Sequence, residues 1–88
     1  MHAVVFNVDM KQDWDGDRDA ELDTVVGMTQ GSPGFVKGSW LSDGQRGISV
    51  QLYESEEAAR AVADGAAMSP DASVSLRSVE VYEVMREV

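Results

Sequence analysis

Between Ser32 and Val62 the chain reads SPGFVKGSWLSDGQRGISVQLYESEEAARAV, and few folds accommodate that succession of signals. Pro33-Gly34 stops whatever helix precedes it. FVKGSWL and GISVQLY are two short strand patterns. The five residues between them, SDGQR, hold an Asp43-Gly44 pair that tolerates positive φ in a tight hairpin. Ser55 then offers its hydroxyl to the free amides of a helix's first turn, where Glu56 and Glu57 favour the positive end of the helix dipole. Turn, hairpin and helix start follow one another almost without a spare residue.

The flanks complete the unit. HAVVFNVDM alternates, with His2, Val4, Phe6, Val8 and Met10 on one side and Ala3, Val5, Asn7 and Asp9 on the other, the period of a half-buried strand. A polar loop, KQDWDGD, leads to Asp17 as helix cap. Leu22, Val25, Val26 and Thr29 then recur at helical spacing until Gly31. In the second helix Ala58, Ala59, Val62, Ala63 and Ala66 form a narrow face that can lie close to a sheet. MSPDAS is loop, and VSLRSVEVYEVM is a last strand with Val79 and Val81 opposed to Glu80 and Tyr82. The predicted order is β-α-β-β-α-β over residues 1–88 as one domain. That is the α+β, ferredoxin-like arrangement with a four-stranded antiparallel sheet.

Two helices cover only one face of such a sheet. Matching the alternation across strands predicts Val4, Phe6, Val8, Ile48, Val50 and Leu52 beneath them. Val5, Asn7, Ser49, Gln51, Tyr53, Glu80 and Tyr82 are then expected on the uncovered face. A chain of 88 residues buries only about 60–65% of its unfolded surface, so its core is small and self-association is a second source of burial. The expectation is a homodimer joined through the uncovered face, enclosing a polar and aromatic cavity suited to a small ligand.

The segment SPGFVKGSWL, the Asp-Gly turn and GISVQLYESEEAARA together resemble the antibiotic biosynthesis monooxygenase superfamily of dimeric α/β barrels. The likeness is sharpest from Ser32 to Ala61 and extends in element order over nearly the whole chain. It implies that fold, formed by two copies, and a range of activities that includes cofactor-independent oxygenation of aromatic or polyketide-like substrates and haem degradation. Asn7 matches an asparagine that lines the pocket of catalytic members, and Trp40 and Tyr53 are aromatic residues on strands that border it. Haem-degrading members place a tryptophan and an iron-ligating histidine on and just after the second helix. AARAVADGAAMSP carries neither here, and the expectation is no cofactor.

Composition removes other classes. The chain has no cysteine, hence no disulfide, thiol nucleophile or Cys-based metal site. Its net charge of −9 and lack of any basic cluster weigh against nucleic acid and against an anionic membrane surface. No apolar run reaches the roughly 20 residues of a membrane span. Met1 leads directly into the first strand pattern, and a cytoplasmic protein is expected. His2, the single histidine, is read as a surface or edge residue. Asp13, Asp15, Asp17 and Asp19 alternate as in a calcium loop, yet Arg18 and Thr24 stand where that loop needs Gly and Glu. No metal site is predicted. The candidates left are Asn7, Trp40, Gln51, Tyr53 and Tyr82 for ligand binding, with Asn7, Tyr82 and Glu80 for any catalysis. Two readings stay open at this point: a cofactor-independent oxygenase, or a non-catalytic ligand-binding or assembly module.

Overall fold

The alternating first segment forms strand β1 (His2–Met10), the centre of the architecture in a computed structural model that describes residues 1–88. It is followed by α1 (Arg18–Gln30), β2 (Phe35–Ser42), β3 (Arg46–Tyr53), α2 (Glu56–Asp64) and β4 (Val74–Glu83). The four strands make one antiparallel sheet in the order β2-β3-β1-β4. This is the predicted ferredoxin-like order. Both helix starts are capped as expected: Asp17 accepts from the Ala20 amide at 3.0 Å and Ser55 from the Ala58 amide at 3.1 Å. Gly44 in the hairpin has φ 95°.

The core lies between the sheet and α2. Val4, Tyr53 and Ala59 are completely buried, with Phe6, Phe35, Ala58, Val62, Ala63, Val79 and Val81 packed around them. The small-residue face of α2 lets the helix settle close to β1 and β4, as its sequence implies. The first helix is held differently. None of its residues is buried, and Leu22, Val25 and Met28 are exposed. Polar groups anchor its N-terminal end: Glu21 accepts from the Ser73 amide at 2.9 Å and from the Ser73 hydroxyl, and Arg18 donates to the carbonyls of Ser73 and Lys11. Trp14 donates to the Asp71 carbonyl at 3.0 Å.

Strand register corrects one expectation. His2, Val4, Phe6 and Val8 of β1 stand opposite Tyr53, Gln51, Ser49 and Gly47 of β3. Directly opposed residues share a face, so Ser49, Gln51 and Tyr53 lie beneath the helices. Ile48, Val50 and Leu52 lie on the opposite face, the reverse of the assignment made from alternation, with Leu52 and its neighbour Ala3 already buried there and Ile48 exposed. A shift of one residue exchanges a strand's two faces. The polar row is tolerated inside because it satisfies itself. The Tyr53 hydroxyl donates to Gln51 Oε1 at 2.8 Å, and Gln51 Nε2 donates to Ser49 Oγ at 3.2 Å. The Tyr53 ring meets Phe35 edge-on at 5.9 Å.

Gly34 in the Pro-Gly-Phe turn carries both constraints a glycine can have. Its φ is 78°, and an added Cβ would stand 2.9 Å from Ala58 Cβ on α2. Gly34→Ala is expected to cost about 1–2 kcal/mol from the left-handed backbone alone. Separation of α2 from the turn adds to that, so a fall of at least 5 °C or so in melting temperature should follow. An unchanged melting curve would show that the turn relaxes freely.

Candidate functional site

The uncovered face is a grid whose middle column is β1. Ala3 stands between Leu52 and Tyr82, Val5 between Val50 and Glu80, Asn7 between Ile48 and Ser78, and Asp9 between Arg46 and Ser75. Ser39 and Leu41 of β2 extend the grid beside Val50 and Ile48. The β2–β3 half is therefore largely apolar and the β4 half polar, with Asn7 where they meet.

Asn7 Nδ2 donates to Ser78 Oγ and to Glu80 Oε1, each at 3.0 Å. The Tyr82 hydroxyl donates to Glu80 Oε2 at 2.7 Å. Both carboxylate oxygens are thus engaged, while the amide oxygen of Asn7 receives no hydrogen bond from the chain. The bond to Glu80 raises the Tyr82 pKa above the ordinary tyrosine value, since a phenolate there would lose that bond and face a carboxylate. At neutral pH Tyr82 is a proton donor, not a base. Burial raises Tyr53 in the same direction.

These are the only two tyrosines in the chain, so a spectrophotometric titration reads both. Neither should ionise below the ordinary value of 10.0, and Glu80→Gln should bring one of them to lower pH by removing the charge. A group with a raised folded pKa contributes stability that is present below its unfolded value and lost as pH rises through the folded one. Alkaline stability should accordingly decline above about pH 10. A tyrosine that ionises early and ignores Glu80→Gln would contradict the Tyr82–Glu80 bond.

Two concavities open on the same face. One, of about 180 Å³, is lined by Asn7, Val8, Arg46, Gly47, Ile48, Arg77 and Ser78. The other, of about 320 Å³, is lined by Leu41, Ser42, Asp43, Arg46 and Ile48. The ladder between β1 and β4 slips between Asn7 and Val8, so that Arg77 is the extra residue of a β-bulge. Arg77 pairs with Asp9 at 3.1 Å.

The six residues singled out from sequence therefore divide. Asn7, Glu80 and Tyr82 come together on the uncovered face. Gln51 and Tyr53 are buried on the other, and Trp40, opposite Ser49, shares that face with them. The cause is the parity of β3 described above. Sequence reasoning missed Ser78, Arg46 and Arg77. Ser78 had a signal, since it precedes Glu80 and Tyr82 at the same period of two. Arg77 had none, because a bulge breaks that period. His2 sits against α2, with Nε2 3.9 Å from Glu56 Oε2.

No family profile matches this sequence, and no curated protein does. Solved structures match the fold. A mutant of MhuD with two manganese protoporphyrin IX bound per active site superposes with a TM-score of 0.62 at 20% identity, covering 100% of this chain and 98% of that one. The heme-degrader MhuD from Mycobacterium tuberculosis with two hemes bound in its active site gives 0.56 at 24% identity, over 97% and 98%.

Proposed function

We propose that the chain is a small-molecule-binding homodimer of the dimeric α/β-barrel kind and a member of the antibiotic biosynthesis monooxygenase superfamily. Two copies join through their uncovered sheet faces and hold an aromatic ligand beside Asn7. One observation carries this reading. The chain exposes 5980 Å², about 900 Å² more than a folded monomer of its mass should. That excess, part of which lies on α1 with its exposed Leu22, Val25 and Met28, is of the order of the roughly 800 Å² that each partner contributes to a stable interface. On the uncovered face Leu41 and Ile48 are exposed and Val50 half-buried, and they supply apolar surface to bury. The polar half of the face supplies groups that can orient a ligand.

Within that site the amide oxygen of Asn7 is free to accept from a ligand hydroxyl, while Ser78 and Glu80 fix the amide's orientation. Tyr82 and Glu80 hold each other. The arrangement supports binding best, because the phenol keeps its proton and the carboxylate already accepts from Asn7, Ser78 and Tyr82. Cofactor-independent oxygenation of an aromatic or polyketide-like substrate is the second reading. It is favoured by Glu80, the one carboxylate on this face beside both Asn7 and Tyr82, which would take the proton whose loss activates such a substrate. Haem held as in a histidine-ligated site does not fit the donors present. Neither α2 nor the segment after it to Pro70 contains histidine, and His2 lies against Glu56.

Sedimentation at micromolar concentration should show a dimer, and native mass spectrometry of freshly purified protein should show it retaining a small organic molecule. A lone 9.5 kDa species would overturn the dimer and the enclosed site with it.

A further inference from the structure

We infer that the end of the uncovered face around Arg46 and Arg77 is an anion subsite, and that the ligand is a flat aromatic acid whose carboxylate enters it. This rests on the reading that the uncovered face is the ligand face. It goes further in naming the ligand's chemistry.

Arg46 is the key residue because no carboxylate of the chain lies within salt-bridge distance of its guanidinium, although Asp43 is near enough to feel its charge. Asp9, directly across the ladder from it, turns its Oδ1 to Arg77 at 3.1 Å and makes no salt bridge with Arg46. Asp43, three residues back, spends its Oδ1 on the amides of Gln45 at 2.9 Å and Arg46 at 2.8 Å, closing the hairpin. The Arg46 guanidinium is left with no acceptor in the chain, in a protein whose net charge is −9. A planar guanidinium offers two parallel donors that match a carboxylate.

The shape agrees with the charge. Arg46 and Ile48 belong to the lining of both concavities. On one side lie Asn7, Arg77 and Ser78, a polar lobe of about 180 Å³. On the other lies Leu41, in a lobe of about 320 Å³. The smaller lobe has the room of about six waters at roughly 30 Å³ each, enough for a carboxylate and the edge of a ring. The rest of a one- or two-ring body would lie along Ile48 and Leu41. A single unpaired guanidinium balances one negative charge. A phosphate dianion would bring its second charge close to Asp9 and Asp43, and the carboxylate is therefore the better match.

The test titrates the intact protein with 2-naphthoate, with its neutral amide and with inorganic phosphate, by calorimetry, and repeats the series on Arg46→Gln. Sedimentation is measured on the same samples. Saturable binding of 2-naphthoate is expected, weakened about tenfold or more by the amide substitution and equally by Arg46→Gln, as loss of a charged bidentate bond implies. The amide's own affinity should not change in the variant, and phosphate should not compete. Equal binding of acid and amide, no dependence on Arg46, competition by phosphate, or no binding at about 10 mM overturns the subsite. If Arg46→Gln separates a dimer that never binds 2-naphthoate, the guanidinium serves a carboxylate of the second copy, and the proposal also fails. Arg46-dependent binding by a monomer would leave the subsite standing and refute the enclosed dimeric site instead.

Discussion

Val50→Asp should turn the proposed dimer into monomers. Val50 lies near the centre of the uncovered face, with Val5 on one side and Ser39 on the other. In a symmetric pairing of two such faces the substitution enters twice, so two carboxylates lose their water with no cation beside them. A lone buried charge costs about 3–5 kcal/mol, and each 1.4 kcal/mol is tenfold in affinity. A rise in the dimer dissociation constant of about a thousandfold or more is therefore expected. Val50→Thr, of similar size and equally suited to a strand, is the control and should remain dimeric. Sedimentation over a dilution series separates the two. A Val50→Asp protein that stays dimeric at the wild-type affinity would move the interface elsewhere, the exposed Leu22, Val25 and Met28 of α1 being the next apolar surface.

The reason that test addresses Val50 at all is a matter of parity that sequence could not decide. In β1 the alternation was legible, because Val4, Phe6 and Val8 oppose Asn7 and Asp9. The caps were legible too, since Asp17 and Ser55 each precede an acidic first turn and have one evident use. In β3 both faces are credible interiors. Ile48, Val50 and Leu52 are apolar, while Ser49, Gln51 and Tyr53 can bond one another and include a large ring. Hydrophobicity favours the first set beneath the helices. The structure buries the second, and the apolar set is left for the other face. Where one face of a strand can satisfy its own polar groups and the other is apolar, alternation cannot say which of the two lies beneath the helices. The attachment of α1 was hidden for a different reason. Its ties run from Glu21 and Arg18 to Ser73, a link across 52 residues or more that no local period carries. Arg46 and Arg77 stayed out of the candidate set because one follows a turn and the other sits in a bulge.

The same parity makes Tyr53 the position with the largest expected effect on stability. Its side chain is completely buried against Val4 and Ala59, edge-on to Phe35, with its hydroxyl on Gln51. Tyr53→Ala removes a ring from the core, which typically costs about 3–5 kcal/mol. It also leaves Gln51 Oε1 buried without its donor, adding about 1–3 kcal/mol. Domains of this kind have only about 5–15 kcal/mol in total. The variant should therefore melt some 20 °C lower or fail to fold, at about 4–8 °C per kcal/mol. Tyr53→Phe keeps the ring and isolates the second term, so it should lose about 1–3 kcal/mol. Adding Gln51→Met to Tyr53→Phe removes the stranded acceptor and should recover part of that loss, because deleting both partners of a buried bond is milder than deleting one. Thermal melts must be compared at one protein concentration, since association shifts them. If Tyr53 instead faced outward with Asn7, Tyr53→Ala would weaken the dimer or its ligand while leaving the fold of each chain intact. Melting and sedimentation of this one variant therefore report directly on which face of β3 is the core.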